Sequence, residues 1–507
     1  MRTPMSINLG IATLFLAGMM IMSPIRSHAE PAPTPAVTLP IQSSPLVTFR
    51  VQFRAGTIDD PAGKEGLTRL TASLLTDGGT KSHTYNEIVE MLYPMAASID
   101  VTVDKEITTF YGTTHIDNLD RYFELFSQML LEPRFDARDF ERVKTSQINY
   151  VAKTLRGTND EEFGKQALGV MMYEGHPYGA PNAGTVSSLE SITLDDVRSQ
   201  CSRVFTRDNA IIGLAGGYPE DLQDRMAKVI AKLPAGAPAR VPLGTPPTIQ
   251  NVQVTAVEKD CLATAISIGF PIDVTRASDD FYALLIANSY LGEHRTFNGR
   301  LMMRMREIRG LNYGDYSYIE HFVQDGGSTF PLTNFARSQQ YFSIWIRPVQ
   351  TQHRQFALRL AIFELERLVR DGMTQEEFER TRTFLKHYSK LWAQDQNRRL
   401  GYLMDSRFYG TEDYIATLPA RLDQVTLEQV NAAIRRHLNA SNLCVAVITS
   451  GADQFLQDLI TNKPSPMTYE AEGIAADVIA EDGVVSVYKL NINQSASKIV
   501  AAEEMFK

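Results

Sequence analysis

Apolar and polar positions alternate along the chain in two distinct rhythms. Leu46 to Phe53 (LVTFRVQF) and Ser98 to Val103 have the period of two that predicts β-strands. Leu119 to Leu131 places Tyr122, Phe123, Leu125, Phe126, Met129 and Leu130 at helical spacing. Leu67, Leu70 and Leu74 mark a second helix, ended by the glycines of Asp77-Gly78-Gly79-Thr80. Leu301, Met305 and Ile308 mark a third, with Gly310 as a suitable C-terminal stop. Strands and helices mix without a strict strand–helix–strand alternation, which predicts an α+β fold.

The pattern repeats. Phe140-Glu141-Arg142, Thr145 and Tyr150 recur as Phe378-Glu379-Arg380, Thr383 and Tyr388, at a constant offset of 238. Leu189, Thr193-Leu194 and Val197 recur as Leu422, Thr426-Leu427 and Val430, at an offset of 233. Each block leads into an apolar run, Ala210 to Ala215 and Leu443 to Ile448. This order predicts a duplicated domain. A Pro/Gly-rich stretch within 233–250 separates the copies, because its prolines block both helix and sheet ladders. The expected domains are therefore 46–232 and 251–462. A proline-rich leader occupies 30–45 and a tail 463–507. The tail matches the repeat poorly and leaves three roles open: an added strand, a clasp on a partner, or a mobile end.

Residues 1–29 read differently. Arg2 precedes an uncharged apolar run, Leu9 to Met22, and small residues follow at Ser27-His28-Ala29. This is the layout of a secretory signal peptide cleaved near Ala29, and it implies a periplasmic or secreted protein. The run is short for a membrane span, and no other segment approaches the roughly 20 apolar residues that a span needs. Without residues 1–29 the chain carries 48 basic and 59 acidic side chains, a net charge of −11, which argues against a nucleic-acid partner. Cys201, Cys261 and Cys444 are far apart and form no CxxC pair, so neither a zinc ribbon nor a redox motif is supported. Cys444 lies within an apolar run and is expected to be buried as a small hydrophobe.

Gly66 to Thr80 (GLTRLTASLLTDGGT) resembles the metal-binding segment of the insulinase and pitrilysin family, which includes the mitochondrial processing peptidases. That segment has a GLxHxxEH core and a trailing GT. The resemblance extends through Val51 to Gly56 (VQFRAG), Asp60-Pro61, Leu131 to Phe135 (LEPRF) and Gly175 to Gly179 (GHPYG). It covers most of residues 46–460 and implies two homologous domains, each a mixed sheet flanked by helices, together forming a half-shell. The family's chemistry needs two His one helical turn apart, a Glu as general base and a distal carboxylate as third ligand. Here the His positions fall at Arg69 and Ser73, the base at Ala72, and the distal ligand near Asn149 or Tyr150. None of these can serve. No two of the nine histidines are four residues apart, and none forms HxxE, so no relocated metal motif is visible and no catalytic residue is expected. His176 in HPYG fits a structural role at a turn.

The second half retains a family feature. Asn298-Gly299-Arg300-Leu301 leads through Arg306 to Leu311-Asn312-Tyr313. It resembles a run in which an Arg and a Tyr seven residues apart reach into the active site, bind the substrate backbone and stabilise the transition state. The resemblance assigns those roles to Arg306 and Tyr313, and a guanidinium and a phenol are able to donate to a carbonyl gaining negative charge. Arg309, closer to Gly310, is the competing cation, expected at the helix C-terminus. The family divides work between two chains in its bacterial and mitochondrial branches. The resemblance therefore implies a non-catalytic subunit, with no cofactor of its own. Its partner would supply HxxEH and zinc, and the pair would act on extended peptides. The alternative is a catalytically inactive peptide-binding or scaffold protein of the cell envelope.

Overall fold

In the computed structural model, which describes residues 34–324, 330–469 and 472–507, the strand-forming runs assemble into two sheets. The signal-like segment 1–29 lies outside the described residues. The first sheet contains β1 (Ala36–Pro40), β2 (Leu46–Phe53), β3 (Asp100–Val103), β4 (Thr108–His115) and β5 (Ala210–Gly216), in the order β1-β5-β2-β4-β3. The second contains β6 (Val252–Glu258), β7 (Ala263–Ile272), β8 (Asp315–Tyr318), β9 (Gln340–Gln350), β10 (Leu443–Thr449) and β11 (Lys498–Ala501), in the order β11-β6-β10-β7-β9-β8. Leave out β11 and the two orders coincide. In each sheet one parallel pairing (β1 with β5, β6 with β10) is followed by antiparallel ladders. The duplication expected from short sequence matches is thus present in the topology.

Alternation on β2 does more than expose one face. Val47, Phe49, Val51 and Phe53 enter a core with Phe110, Phe126 and Phe205. The polar positions on the other face are covered by the second half of the chain. Arg50 donates to the backbone and side-chain oxygens of Asn397 (3.0 and 2.7 Å), and Gln396 Nε2 donates to Thr48 Oγ1 (3.0 Å). Both residues belong to the helix Gln396–Tyr409, which packs on β5 and β1. Its counterpart, the helix Asp160–Met172, packs on β7 and β10 of the other sheet. Each half therefore lends one helix to the other's sheet. The helix Asp160–Met172 carries a glycine at its approach: a Cβ on Gly164 would stand 3.3 Å from Ser267 Oγ on β7.

One element starts earlier than expected, and the tail takes one of the roles left open for it, the added strand. Residues 36–40 of the leader form β1, paired parallel to β5 from Ala36↔Ile212 to Pro40↔Gly216, so the first sheet begins ten residues before Leu46. Pro35 and Pro40 are tolerated because β1 is an edge strand. The tail joins the second half: helix Ala476–Ser486 packs on helix Arg354–Asp371, and β11 runs parallel to β6. From 234 to 251 the chain forms no helix or strand before entering β6. The three cysteines are free thiols, with Cys444 buried on β10. Among the described residues no helix is long and apolar enough to cross a membrane.

Candidate functional site

The helix Leu67–Asp77 starts at Gly66, whose φ of 91° is left-handed and suits glycine. The Asp60 carboxylate fixes this start by accepting from the N–H of Gly66 (2.8 Å), the N–H of Thr68 (2.7 Å) and Thr68 Oγ1 (2.5 Å). Leu67, Leu70 and Leu74 are buried on one side, and Ala72 and Leu75 on another. That leaves Arg69 and Ser73, one turn apart, facing a cavity of about 350 Å³.

Across from them stands Tyr150, at the head of a π-helical segment, Tyr150–Thr158, that continues the helix Ala137–Asn149. The Arg69 guanidinium lies over the Tyr150 ring, 5.0 Å from its centroid. Of the two positions open for a distal ligand, Tyr150 is the one that meets Arg69. The place where a metal would be gripped is therefore filled by a cation stacked on a phenol. Arg is donor-only and stays protonated, so it repels a metal ion where a ligand is needed. Among the described residues no three His, Cys, Asp or Glu side chains converge to hold a metal. These residues do not fit zinc.

Both halves wall the cavity. The first contributes Lys105, Glu162 and Lys165, the second His321, Arg337 and Trp345. Arg337 grips the buried Asp104 with two hydrogen bonds, 2.7 and 2.5 Å. Burial alone would raise the Asp104 pKa, but the Arg337 guanidinium and the nearby His321 hold it well below the usual carboxylate range. Burial and Arg337 push His321 down to about 3, so its ring is neutral at pH 7; it hydrogen-bonds Tyr341 at 2.9 Å. Burial and Arg337 also push Lys105 down to about 7, while its ammonium donates to the Ala180 carbonyl. Lys165 pairs with Glu161 at 3.1 Å and sits 3.8 Å above the Trp345 ring. Sequence reasoning missed this wall, whose members come from distant segments with no shared motif. Glu320-His321 is a partial signal: at the bend after β8, Glu320 turns to Arg276 (2.9 Å) and His321 to the cavity.

Arg306 and Tyr313 are brought together elsewhere; neither lines the cavity. Arg306 sits on the segment Met302–Glu307, which is π-helical rather than the expected α-helix: the Ile308 N–H reaches back to the Met303 carbonyl, 3.1 Å. Such wide turns recur at functional sites. Gly310 ends the segment as predicted, with φ of 64° and its N–H on the Arg306 carbonyl. The Arg306 guanidinium lies 5.1 Å from the Phe297 ring centroid and 5.8 Å from that of Tyr313, with Glu307 at 3.6 Å. Tyr313 is 78% exposed, and Phe297 is exposed beside it. Arg309 behaves differently. It donates to the Arg304 carbonyl near the segment's end, but its side chain is buried and locked to Asp482 (2.8 Å) and Glu481 (2.7 Å) of the tail. His176 accepts the Tyr178 N–H at a short turn, 3.1 Å, in the structural role expected of it.

Comparison with known proteins matches residues 37–185 to the insulinase (peptidase family M16) domain and residues 191–385 to the peptidase M16 inactive domain, together more than half of the chain. The first match takes in most of β1. A non-peptidase homolog, YmxG, from Helicobacter pylori is 23% identical over 80% of this chain and 89% of its own. An uncharacterized zinc protease from Mycobacterium tuberculosis is 24% identical over 84% of this chain and 96% of its own. The crystal structure of a peptidase M16 inactive domain from Pseudomonas fluorescens shares the fold, with a TM-score of 0.71 at 22% identity over 82% of this chain and 95% of that one. With both domain matches in place and Arg69, Ala72, Ser73 and Tyr150 where metal chemistry would need His, Glu and a carboxylate, the chain belongs to the insulinase (M16) peptidase family as an inactive homologue.

Proposed function

We propose that this chain is the non-catalytic subunit of an exported, two-chain zinc peptidase that acts on extended peptides. Its partner carries HxxEH and the zinc. Arg306 and Tyr313 reach across to the substrate carbonyl, and the two chains close a chamber around the peptide. The observation that carries this reading is a contrast. The metal position is filled by Arg69 stacked on Tyr150, while Arg306 and Tyr313 remain side by side and Tyr313 stays exposed. The signal-like N-terminus supports export, and the mature chain recovered from the cell envelope or medium should begin near Glu30.

The test is reconstitution with the HxxEH chain purified from the same envelope. Removing a donor to a developing oxyanion costs about 10²–10³ in kcat. Arg306→Ala should cause a loss of that order, and Tyr313→Phe a smaller one, with the complex still intact by size-exclusion chromatography. Unchanged turnover in both variants would sink the reading and leave peptide binding or scaffolding without hydrolysis.

A further inference from the structure

Arg69 is an unusual cation. Its guanidinium has five donors, yet among the described residues it has no hydrogen-bond acceptor; it lies over the face of Tyr150 and interacts with the Glu162 carboxylate only through space. It is half-buried in the cavity wall, so water satisfies it only in part. The other cations there are already engaged. Arg337 is taken up by Asp104, Lys165 by Glu161, and Lys105 by the Ala180 carbonyl. Glu162 is the carboxylate among the described lining residues. It accepts from Gln166 (2.8 Å) and lies 3.9 Å from Lys165. The lining thus carries Arg69, Lys105, Lys165 and Arg337 against Glu162, with Tyr150 and Trp345 as flat apolar walls.

We propose that this cavity binds a carboxylate of an extended peptide, with Arg69 as its bidentate anchor. Planar guanidinium–carboxylate recognition is the strongest use of those unspent donors. A volume of about 350 Å³ accommodates a chain end or one acidic side chain with its neighbours. The inference deepens the peptide-binding reading, and it assigns the former metal position a ligand: one fixed positive charge has replaced another, and the group it attracts is now an anion rather than a neutral carbonyl. The carboxylate would come from the peptide's C-terminus or from an internal Asp or Glu.

The test uses the mature chain alone, residues 30–507, so it is separate from any activity with a partner. Calorimetric titration compares an extended ten-residue peptide as free acid and as C-terminal amide. A second amidated pair differs in one internal Glu or Gln. At least tenfold tighter binding of the free acid identifies a C-terminal site; the same preference for Glu over Gln identifies an acidic side chain. Either preference should vanish in Arg69→Gln and persist in part in Arg69→Lys. Equal affinity for acid and amide together with equal affinity for Glu and Gln, or no binding of any peptide, would overturn the proposal even with every variant folded. The partnered turnover would stand or fall on Arg306 and Tyr313 regardless.

Discussion

Two arginines on one cavity have opposite expected behaviour because their surroundings differ. Arg69 stacks on Tyr150 at a half-exposed site, where a cation–π contact contributes about 0.5–1 kcal/mol. Arg69→Ala should therefore shift the denaturation midpoint only slightly. Arg337 is buried against Asp104, and removing one member of a buried pair leaves the other uncompensated, at a cost of about 3–5 kcal/mol. Asp104→Asn should lose that much in urea denaturation. The pair also fixes a pH dependence. The folded Asp104 pKa is depressed, so its contribution is fully present above the ordinary carboxylate value of about 4 and fades as pH falls toward the folded value. Wild-type stability should decline below about pH 4, and Asp104→Asn should remove part of that decline. At this scale the sequence was informative where one residue type excludes a role, as Arg69 and Ala72 exclude metal chemistry. It was silent on Asp104–Arg337, since 233 residues separate the partners.

Among elements, the tail has the largest structural consequence relative to what its sequence discloses. Glu481 and Asp482 on the helix Ala476–Ser486 gather Arg304, Arg309 and Arg367, while Glu364, fully buried, pairs with Arg300 and Arg304. These ion pairs fasten the tail to the π-helical segment that presents Arg306. Asp482→Asn should cost about 1.5–3 kcal/mol, the worth of a hydrogen bond to a charged group, because Arg309 keeps Glu481 at 2.7 Å. It should also lower partnered turnover more than Arg370→Ala, an exposed surface change. Equal turnover in the two would deny the tail a positioning role. The tail was illegible because its apolar positions fall in short runs such as Val484 to Leu490, outside the repeat, and its partners lie more than a hundred residues upstream. β1 was hidden by its prolines, which mark a leader unless the strand lies at a sheet edge. The helix carrying Arg306 was legible as a helix from Leu301, Met305 and Ile308; its wide turn was not, since apolar spacing does not distinguish the two windings.

For the whole molecule, the repeats at fixed offsets disclosed two copies of one fold before any strand was placed. They did not disclose that each copy lends a helix to the other's sheet, because periodicity tells which face of a helix is buried and not what covers it. That exchange has a functional consequence. The cavity at Arg69 is walled by both halves, so its shape depends on the halves holding their places. Arg306 and Tyr313 lie outside it, and on the proposed reading they meet the substrate held by a second chain. The expected assembly is consequently one zinc-bearing chain to one of these. Native purification from the cell envelope should yield an equimolar partner with HxxEH, and metal analysis should find one zinc per pair. One zinc per copy of this chain purified alone would contradict the Arg69–Tyr150 stack as a metal-excluding feature. A zinc-free chain that recovers no such partner would remove the peptidase role and leave Arg69, rather than Arg306, as the residue on which function turns.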